Sequence, residues 1–361
     1  MELIFKDKVD KNQILSFASK EGSLPNDILG KSFVMQGDNF IGLSKLLNTK
    51  KGFIDLIYID PPFNTNQIFS VSQSRASTIS RSKSSITAYE DLMDADEFLN
   101  FMYKRFILLY ELLSENGSLY VHIDTKMGHY FKVILDEIFD KQNYKNDITR
   151  IKSNPKNFDR KAYGNEKDMI LFYSKNSNKN IWNEIRIELS DEELQSKFKK
   201  VDKDGRRYTT IPLHAPGESA GITGQKWRDM YPPEGRHWRT SPEEFEKLDA
   251  LGLIEWSSTG NPRIKKYADE HKGKKIQDVW TFKDPQNPMY PTQKNLDMLK
   301  LIIKQSSVEG SYVLDCFSGS GTTLQAASEL NRKFIGIDQS EIAINVIKNR
   351  LNIGNDDLIV L

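Results

Sequence analysis

Val313-Leu314-Asp315-Cys316-Phe317-Ser318-Gly319-Ser320-Gly321-Thr322-Thr323 reads as the end of a buried strand, a carboxylate, a glycine-bearing turn and the start of a helix. Glycines at 319 and 321 let the backbone approach a ligand closely at a helix N-terminus. The stretch is not a dinucleotide fingerprint, because position 324 is Leu where a third Gly would stand, and no Gly-Lys-Ser/Thr follows to make a P-loop. Outward from it, a helix over 322–329, an apolar strand over 334–337 and a helix over 341–351 continue a β-α-β-α series. Such alternation predicts an α/β fold with a mostly parallel, doubly wound sheet and helices on both faces.

A second string, Asp60-Pro61-Pro62-Phe63, follows another nearly continuous apolar run over 53–59, the mark of a strand buried on both faces. Strands predicted over 118–124 and 168–174, with helices over 97–113 and 127–139, fill in the same architecture, and Glu115-Asn116-Gly117 reads as a helix C-cap. Ligands in open α/β sheets sit beyond the carboxyl ends of strands. Four predicted strands end on an acid: Asp60, Asp124, Asp315 and Asp338. Asp60 is set apart by the prolines and the ring after it. A carboxylate and a backbone carbonyl, each accepting one N–H, suit an aromatic amine whose lone pair must be drawn toward tetrahedral geometry; positioning and preorganised dipoles then supply most of the rate. Asp60 and the Pro61 carbonyl fill these roles. Pro61 and Pro62 fix φ, so the carbonyl stays aimed, and Phe63 offers a stacking face. On the cofactor side, Asp315 suits an ammonium and Asp338 suits ribose hydroxyls, about 20 residues further on as in nucleoside-binding sheets. Cys316 reads as a pocket-wall or core residue.

Composition narrows the class. The 361 residues carry a formal charge of +1, and one cysteine excludes internal disulfides. The five histidines show no paired ligand spacing, so no metal is expected. No apolar run approaches the roughly 20 residues of a membrane span, and the N-terminus lacks a signal-peptide pattern, so a soluble, cytoplasmic protein is expected. Residues 150–287 hold 27 Lys+Arg against 22 Asp+Glu. The stretch 175–290 is polar, contains all five tryptophans and has few periodic segments, so it reads as a separate module inserted into the sheet domain. A serine-rich segment over 70–87, with Arg75, Arg81, Lys83 and no acid, reads as a surface loop or as one that orders on a phosphate backbone.

These residues and their order resemble the β class of DNA amino-methyltransferases, in which the catalytic motif precedes the target-recognition region and the cofactor motif comes last. Gln36-Gly37-Asp38-Asn39 resembles the family's N-terminal element, which implies that Asp38 touches the cofactor adenine. Tyr290-Pro291-Thr292-Gln293-Lys294-Asn295 resembles its His-Pro-Thr-Gln-Lys-Pro element, with Tyr and Asn at the two ends, and places Lys294 in the cofactor pocket. The resemblance implies a Rossmann-like methyltransferase domain over 1–174 and 289–361, in permuted order, and a target-recognition region over 175–288. It implies S-adenosylmethionine held by Asp38, Lys294, Asp315, Phe317, Ser318, Gly319, Gly321, Thr322 and Asp338. It further implies methylation of adenine in double-stranded DNA after base flipping, in a type II restriction-modification system or alone. Arg206, Arg207, Lys226, Arg228, Arg236 and Arg239 are the candidate DNA contacts, with Tyr208 or Trp238 as wedges. A homodimer and a cognate restriction endonuclease are the further partners to consider; the chain's length argues against the larger modification subunits. Cytosine exocyclic-amine methylation and a catalytically idle DNA-binding subunit are the alternatives.

Overall fold

Short strands that are apolar on both faces must be covered on both faces, and the computed structural model of the chain is organised around that requirement. It describes residues 2–62, 68–71, 76–78, 86–90, 94–154, 161–258, 260–285 and 293–361. The chain forms two compact units, Met1–Glu184 with Gln277–Leu361, and Ile185–Ile276. No described helix is long and apolar enough to cross a membrane.

The principal sheet of the first unit has nine strands: β1 (Phe33–Gln36), β2 (Ile54–Ile59), β3 (Leu113–Ile123), β4 (Tyr144–Ile151), β5 (Lys167–Ser174), β6 (Val279–Thr281), β7 (Tyr312–Asp315), β8 (Lys333–Asp338) and β9 (Leu358–Val360). Their order is β6-β4-β5-β3-β2-β7-β8-β1-β9. Every neighbouring pair is parallel except the two that involve β5.

Helices α1 (Lys11–Ala18), α2 (Asn39–Thr49), α3 (Ala95–Leu112) and α4 (Thr125–Phe139) pack among themselves. Their core includes Ile57 and Ile59 of β2 and Leu119, Val121 and Ile123 of β3. The intervening Leu56, Tyr58, Tyr120 and His122 are equally buried, and strand alternation sends them to the other face. There α5 (Leu296–Ser306) is tied to β3, the Tyr120 and Ser306 hydroxyls lying 2.7 Å apart. It packs on α6 (Thr322–Glu329), and α7 (Glu341–Leu351) follows β8. Asp55, the one polar residue in β2, accepts from the Ser114 hydroxyl at 3.1 Å and the Tyr312 N–H at 3.2 Å, so it fastens β2 to both neighbours.

One expected helix end is corrected. α3 begins with a capping box between Asp94 and Glu97, but it stops at Leu112 rather than at Glu115-Asn116-Gly117. Those residues lie within β3. Ile54 pairs with Leu113 and Leu56 with Ser118, so residues 114–117 bulge out of the ladder. A Cβ on Gly117 would lie 2.8 Å from the Ile54 carbonyl oxygen; close backbone approach, not a helix cap, requires the glycine. Asp124, the acidic end of β3, caps α4 by accepting from the N–H groups of Lys126 and Met127.

The second unit is more regular than its composition suggests. A four-stranded antiparallel sheet joins Lys200–Val201, Arg207–Pro212, Pro262–Tyr267 and Ile254–Trp256. Its core gathers Leu213, Trp227, Trp238, Phe245, Ile254 and Ile264. The unit, Ile185–Ile276, is narrower than the 175–290 stretch set apart by composition. Trp280 belongs to β6, paired with Arg150 of β4, and Trp182 stacks on Phe172 of β5 at 5.8 Å.

Gly321, at φ 73° before α6, leaves no room for a side chain: a Cβ there would meet Ile347 of α7 at 2.7 Å. Gly321→Ala is expected to lower stability by about 1–2 kcal/mol, read from urea unfolding. An unchanged midpoint would show that α7 yields freely.

Candidate active site

β2 hands the chain to β3 on one side and β7 hands it to β8 on the other, so the point where the strand order reverses lies between β2 and β7. Those two strands are parallel, with Leu56 opposite Val313 and Ile57 opposite Leu314. Crevices at such a switch point bind ligands beyond the strand ends, and here Asp60 leaves β2 while Asp315 ends β7. Asp338 ends the next strand, β8, and Asp38 follows β1.

Asp315 is 2 % exposed. It accepts from the Phe317 N–H at 3.0 Å and from Thr323. Burial nevertheless pushes its carboxyl up to about 7, with Asp60 and Asp338 adding to the push. A carboxylate so placed is short of positive charge. The loop that follows is rigid. The Ser318 hydroxyl donates to the Asp315 carbonyl at 2.7 Å, the Gly319 N–H donates to Asp338 at 2.7 Å, and Thr322 receives Arg350 at 2.9 Å. Asp338 therefore clamps the loop as well as standing at the strand end, and its other oxygen accepts from the Ser340 N–H. Burial raises its carboxyl to about 6. Cys316 is buried, as expected, and its carbonyl accepts from Asn39 at 2.8 Å.

Asp60 has two unlike oxygens. Oδ2 forms an ion pair with Lys294 at 2.5 Å. Oδ1 is buried and meets no donor among the described residues. Leaving a buried acceptor unpaired costs about 1–3 kcal/mol, so the position is one that a ligand N–H would relieve. Lys294 thus sits on Asp60, a partner the sequence did not indicate for it.

Asp38 caps α2 through the N–H groups of Phe40 and Ile41, and is held by Arg105 of α3 at 3.2 Å. Arg105 is buried and lies over the Phe101 ring, which in turn meets Phe317. Burial lowers its guanidinium to about 10 despite Asp38. The sequence reading missed Arg105, although a charge three residues after Met102 and four before Leu109, on the apolar stripe of α3, was a visible signal. It also missed His122 and Asp168, polar residues inside apolar strands that link Tyr58 of β2 to β5.

Some expectations fall outside the described residues: Phe63, Arg75, Arg81, Lys83, Tyr290, Pro291 and Thr292. The serine-rich segment, expected as a loop, is corrected in its described parts: Ile68–Val71, Ala76–Thr78 and Ile86–Glu90 pair as a three-stranded antiparallel sheet. Pro61 is buried and Pro62 half-buried. In the second unit the six candidate DNA contacts divide. Arg206 is paired with Asp269 and Glu270, Arg228 with Glu246 and Asp249, and Lys226 with Asp229. Among the described residues, Arg207, Arg236 and Arg239 reach the Phe198 carbonyl, His214 and the Pro212 carbonyl, and pair with no carboxylate. The two wedge candidates are corrected. Tyr208 (8 % exposed) bonds Glu255, and Trp238 (3 %) bonds the Gln225 carbonyl, so both rings serve the unit's own interior.

Comparison with known proteins places these features. A family model described as DNA methylase, covering N6 and N4 methyltransferases, matches residues 54–349. The type II methyltransferase M.EcaI of Enterobacter cloacae is 41% identical over 342 residues, covering 93% of this chain and 72% of that one. The StyLTI Mod subunit of a type III restriction-modification enzyme of Salmonella typhimurium is 26% identical over 83% of this chain and 50% of its own length, so relatives extend to the larger modification subunits the chain's length had argued against. A crystal structure of an M1.HpyAVI–SAM complex superposes with a TM-score of 0.48 at 17% identity, over 89% of this chain and 99% of that one.

The raised Asp315 carboxyl has a defined pH signature. Its value rises from 3.8 to about 7 on folding, so the folded state binds this proton more tightly. That stability is present below pH ~4 and is lost as pH rises through ~7. Asp315→Asn is expected to be more stable than the parent by at least about 1 kcal/mol at pH 8, with the difference shrinking as pH falls and closing only below pH ~4. Calorimetry of ligand-free protein that gave the same difference at both ends of that range would contradict it.

Proposed function

The chain belongs to the DNA methylase family, and on that premise we propose that it transfers a methyl group from S-adenosylmethionine to the exocyclic amine of adenine in double-stranded DNA. The observation that carries the reading is the Asp60 carboxylate: one oxygen neutralised by Lys294, the other buried and without a donor among the described residues, at the sheet's switch point. Aspartate rather than serine at this position favours adenine over cytosine, since serine is commoner in the family's cytosine enzymes.

The residues present suit the cofactor. Asp315, buried and short of positive charge, would receive its ammonium; Asp338 would face its ribose. Phe317, Ser318, Gly319, Gly321 and Thr322 would form the wall, and Asp38, steadied by Arg105, would meet the adenine ring. When bound, S-adenosylmethionine supplies an electrophilic methyl carbon. Asp60 Oδ1 takes one N–H of the target amine and the Pro61 carbonyl the other, orienting the nitrogen lone pair away from the ring. Phe63 stacks on the extruded base. As the amine gains its methyl, Asp60 stands within reach of the proton it must lose.

The second unit serves DNA recognition in this reading, through the arginines its own acids do not consume. Arg236, Arg239 and Arg263 surround His214, whose imidazole is pushed down by burial and then by these three cations. Among the described residues none of the three pairs with a carboxylate, so their charge is available to phosphate or base edges.

Incubation of the protein with unmethylated genomic DNA and labelled S-adenosylmethionine should place label in adenine. Asp60→Ala should abolish transfer while cofactor binding persists; label in cytosine, or turnover by the variant, would overturn the assignment. Arg236→Ala and Arg239→Ala should each weaken DNA binding and reduce the slope of log affinity against log salt by about one. Arg206→Ala and Arg228→Ala should instead lower melting temperature and leave that slope unaltered. Equal slopes for all four variants would contradict the division.

A further inference from the structure

Behind Asp60 runs a line of buried polar groups that methyl transfer itself does not use. Two residues before Asp60, the Tyr58 hydroxyl lies 2.8 Å from His122 Nδ1, and His122 Nε2 lies 3.2 Å from Asp168. Burial pushes the Asp168 carboxyl up, but His122 and Lys152 outweigh it and hold the group well below the usual range. As a carboxylate it only accepts, so Nε2 carries the proton; burial pushes the His122 imidazole down, and in the neutral ring Nδ1 accepts from Tyr58. Asp168 also receives Lys152 at 2.6 Å and Arg150 at 3.4 Å. Arg150 continues the line, donating to the Phe282 carbonyl at 2.8 Å and pairing with Asp284. The neighbouring Lys283 carbonyl accepts from Asn295 at 3.0 Å, and Asn295 adjoins Lys294, which returns to Asp60 at 2.5 Å. The contacts therefore close into a ring that begins and ends at Asp60.

Stability alone does not account for such a ring. Tyr58, His122, Asp168 and Arg150 are each 2 % exposed or less, and a buried ionic network contributes little that packed apolar side chains would not match. What it adds is direction. The ring joins four adjacent strands, β4, β5, β3 and β2, to the segments that precede and carry Lys294.

We propose that His122 is a positioning residue for methyl transfer: through Tyr58 on one side and Asp168 with Arg150 on the other, it holds Asp60 and Lys294 in one frame. The inference rests on the reading of Asp60 as the amine acceptor. Neutral His122 is the only member that bonds both the Asp60 strand and the Arg150 branch, so its removal opens the ring at its middle. A displacement of the acceptor on the order of 1 Å costs about 100-fold in rate, whereas Asp38, Asp315, Asp338 and the loop after β7 lie outside the ring.

The test uses the full chain with unmethylated genomic DNA and labelled S-adenosylmethionine. Tyr58→Phe is expected to lower kcat about tenfold and His122→Leu about 100-fold. His122→Gln, which keeps a donor and an acceptor, should recover much of the loss. Cofactor affinity should stay within about twofold throughout, and adding Tyr58→Phe to His122→Leu should cost nothing further, since the ring is already open. Full kcat in Tyr58→Phe, or losses that follow cofactor affinity or the folded fraction measured by circular dichroism, would overturn the inference. Should His122→Leu fail to fold, Tyr58→Phe decides alone. Turnover by Asp60→Ala would instead remove the reading of Asp60 on which the ring's purpose rests; an inactive Asp60→Ala beside a fully active Tyr58→Phe would remove only the role of His122.

Discussion

The parallel pairing of β2 with β7 is the contact on which the rest depends. It joins residues more than 250 positions apart in the chain, and by setting Leu56 against Val313 it fixes how far Asp60 and Asp315 project beyond a common edge. A slip of one residue would turn every side chain of β2 to the opposite face. It would exchange the Ile57 and Ile59 surface, buried against the helices, for the Tyr58 surface that carries the polar line. Burial on both faces makes that exchange costly, so the register is well determined and the site inherits its precision from ordinary core packing.

The pairing also concentrates like charge. Asp60, Asp315 and Asp338 stand at the ends of three adjacent strands, and burial raises two of the three carboxyls into the neutral range. Lys294 offsets one of them. The remainder is a standing demand for cations, which an ammonium and a sulfonium meet. In the second unit the reverse holds: Arg206 and Arg228 satisfy local acids, while Arg236, Arg239 and Arg263 meet none among the described residues.

Much of this was legible in the residues. The two strand-turn motifs, the order of the catalytic and cofactor halves and the β-α alternation all follow from local pattern, because strands buried on both faces announce themselves as apolar runs. β4 did not, since Lys145, Asn146, Asp147 and Arg150 break any periodicity and its pairing partners are supplied by β5 and β6. Residues 114–117 were misread as a helix end because Asn-Gly suits a cap and a bulge alike. Lys294 was placed near the cofactor by analogy, and only the tertiary arrangement put it on Asp60. Tyr208 and Trp238 read as wedge candidates because nothing local reveals that a small unit must spend its rings on its own interior.

β5 alone runs against the grain of its sheet. Ligand-facing groups in parallel sheets sit where strands finish, a rule that led directly to Asp60, Asp315 and Asp338. Reversal of a single strand brings its opening residues to that same rim, and Asp168, the second residue of β5, arrives there as a strand begins. An inverted strand is thus a second door to the crevice, through which evolution could add acidic groups invisible to any search restricted to carboxyl termini.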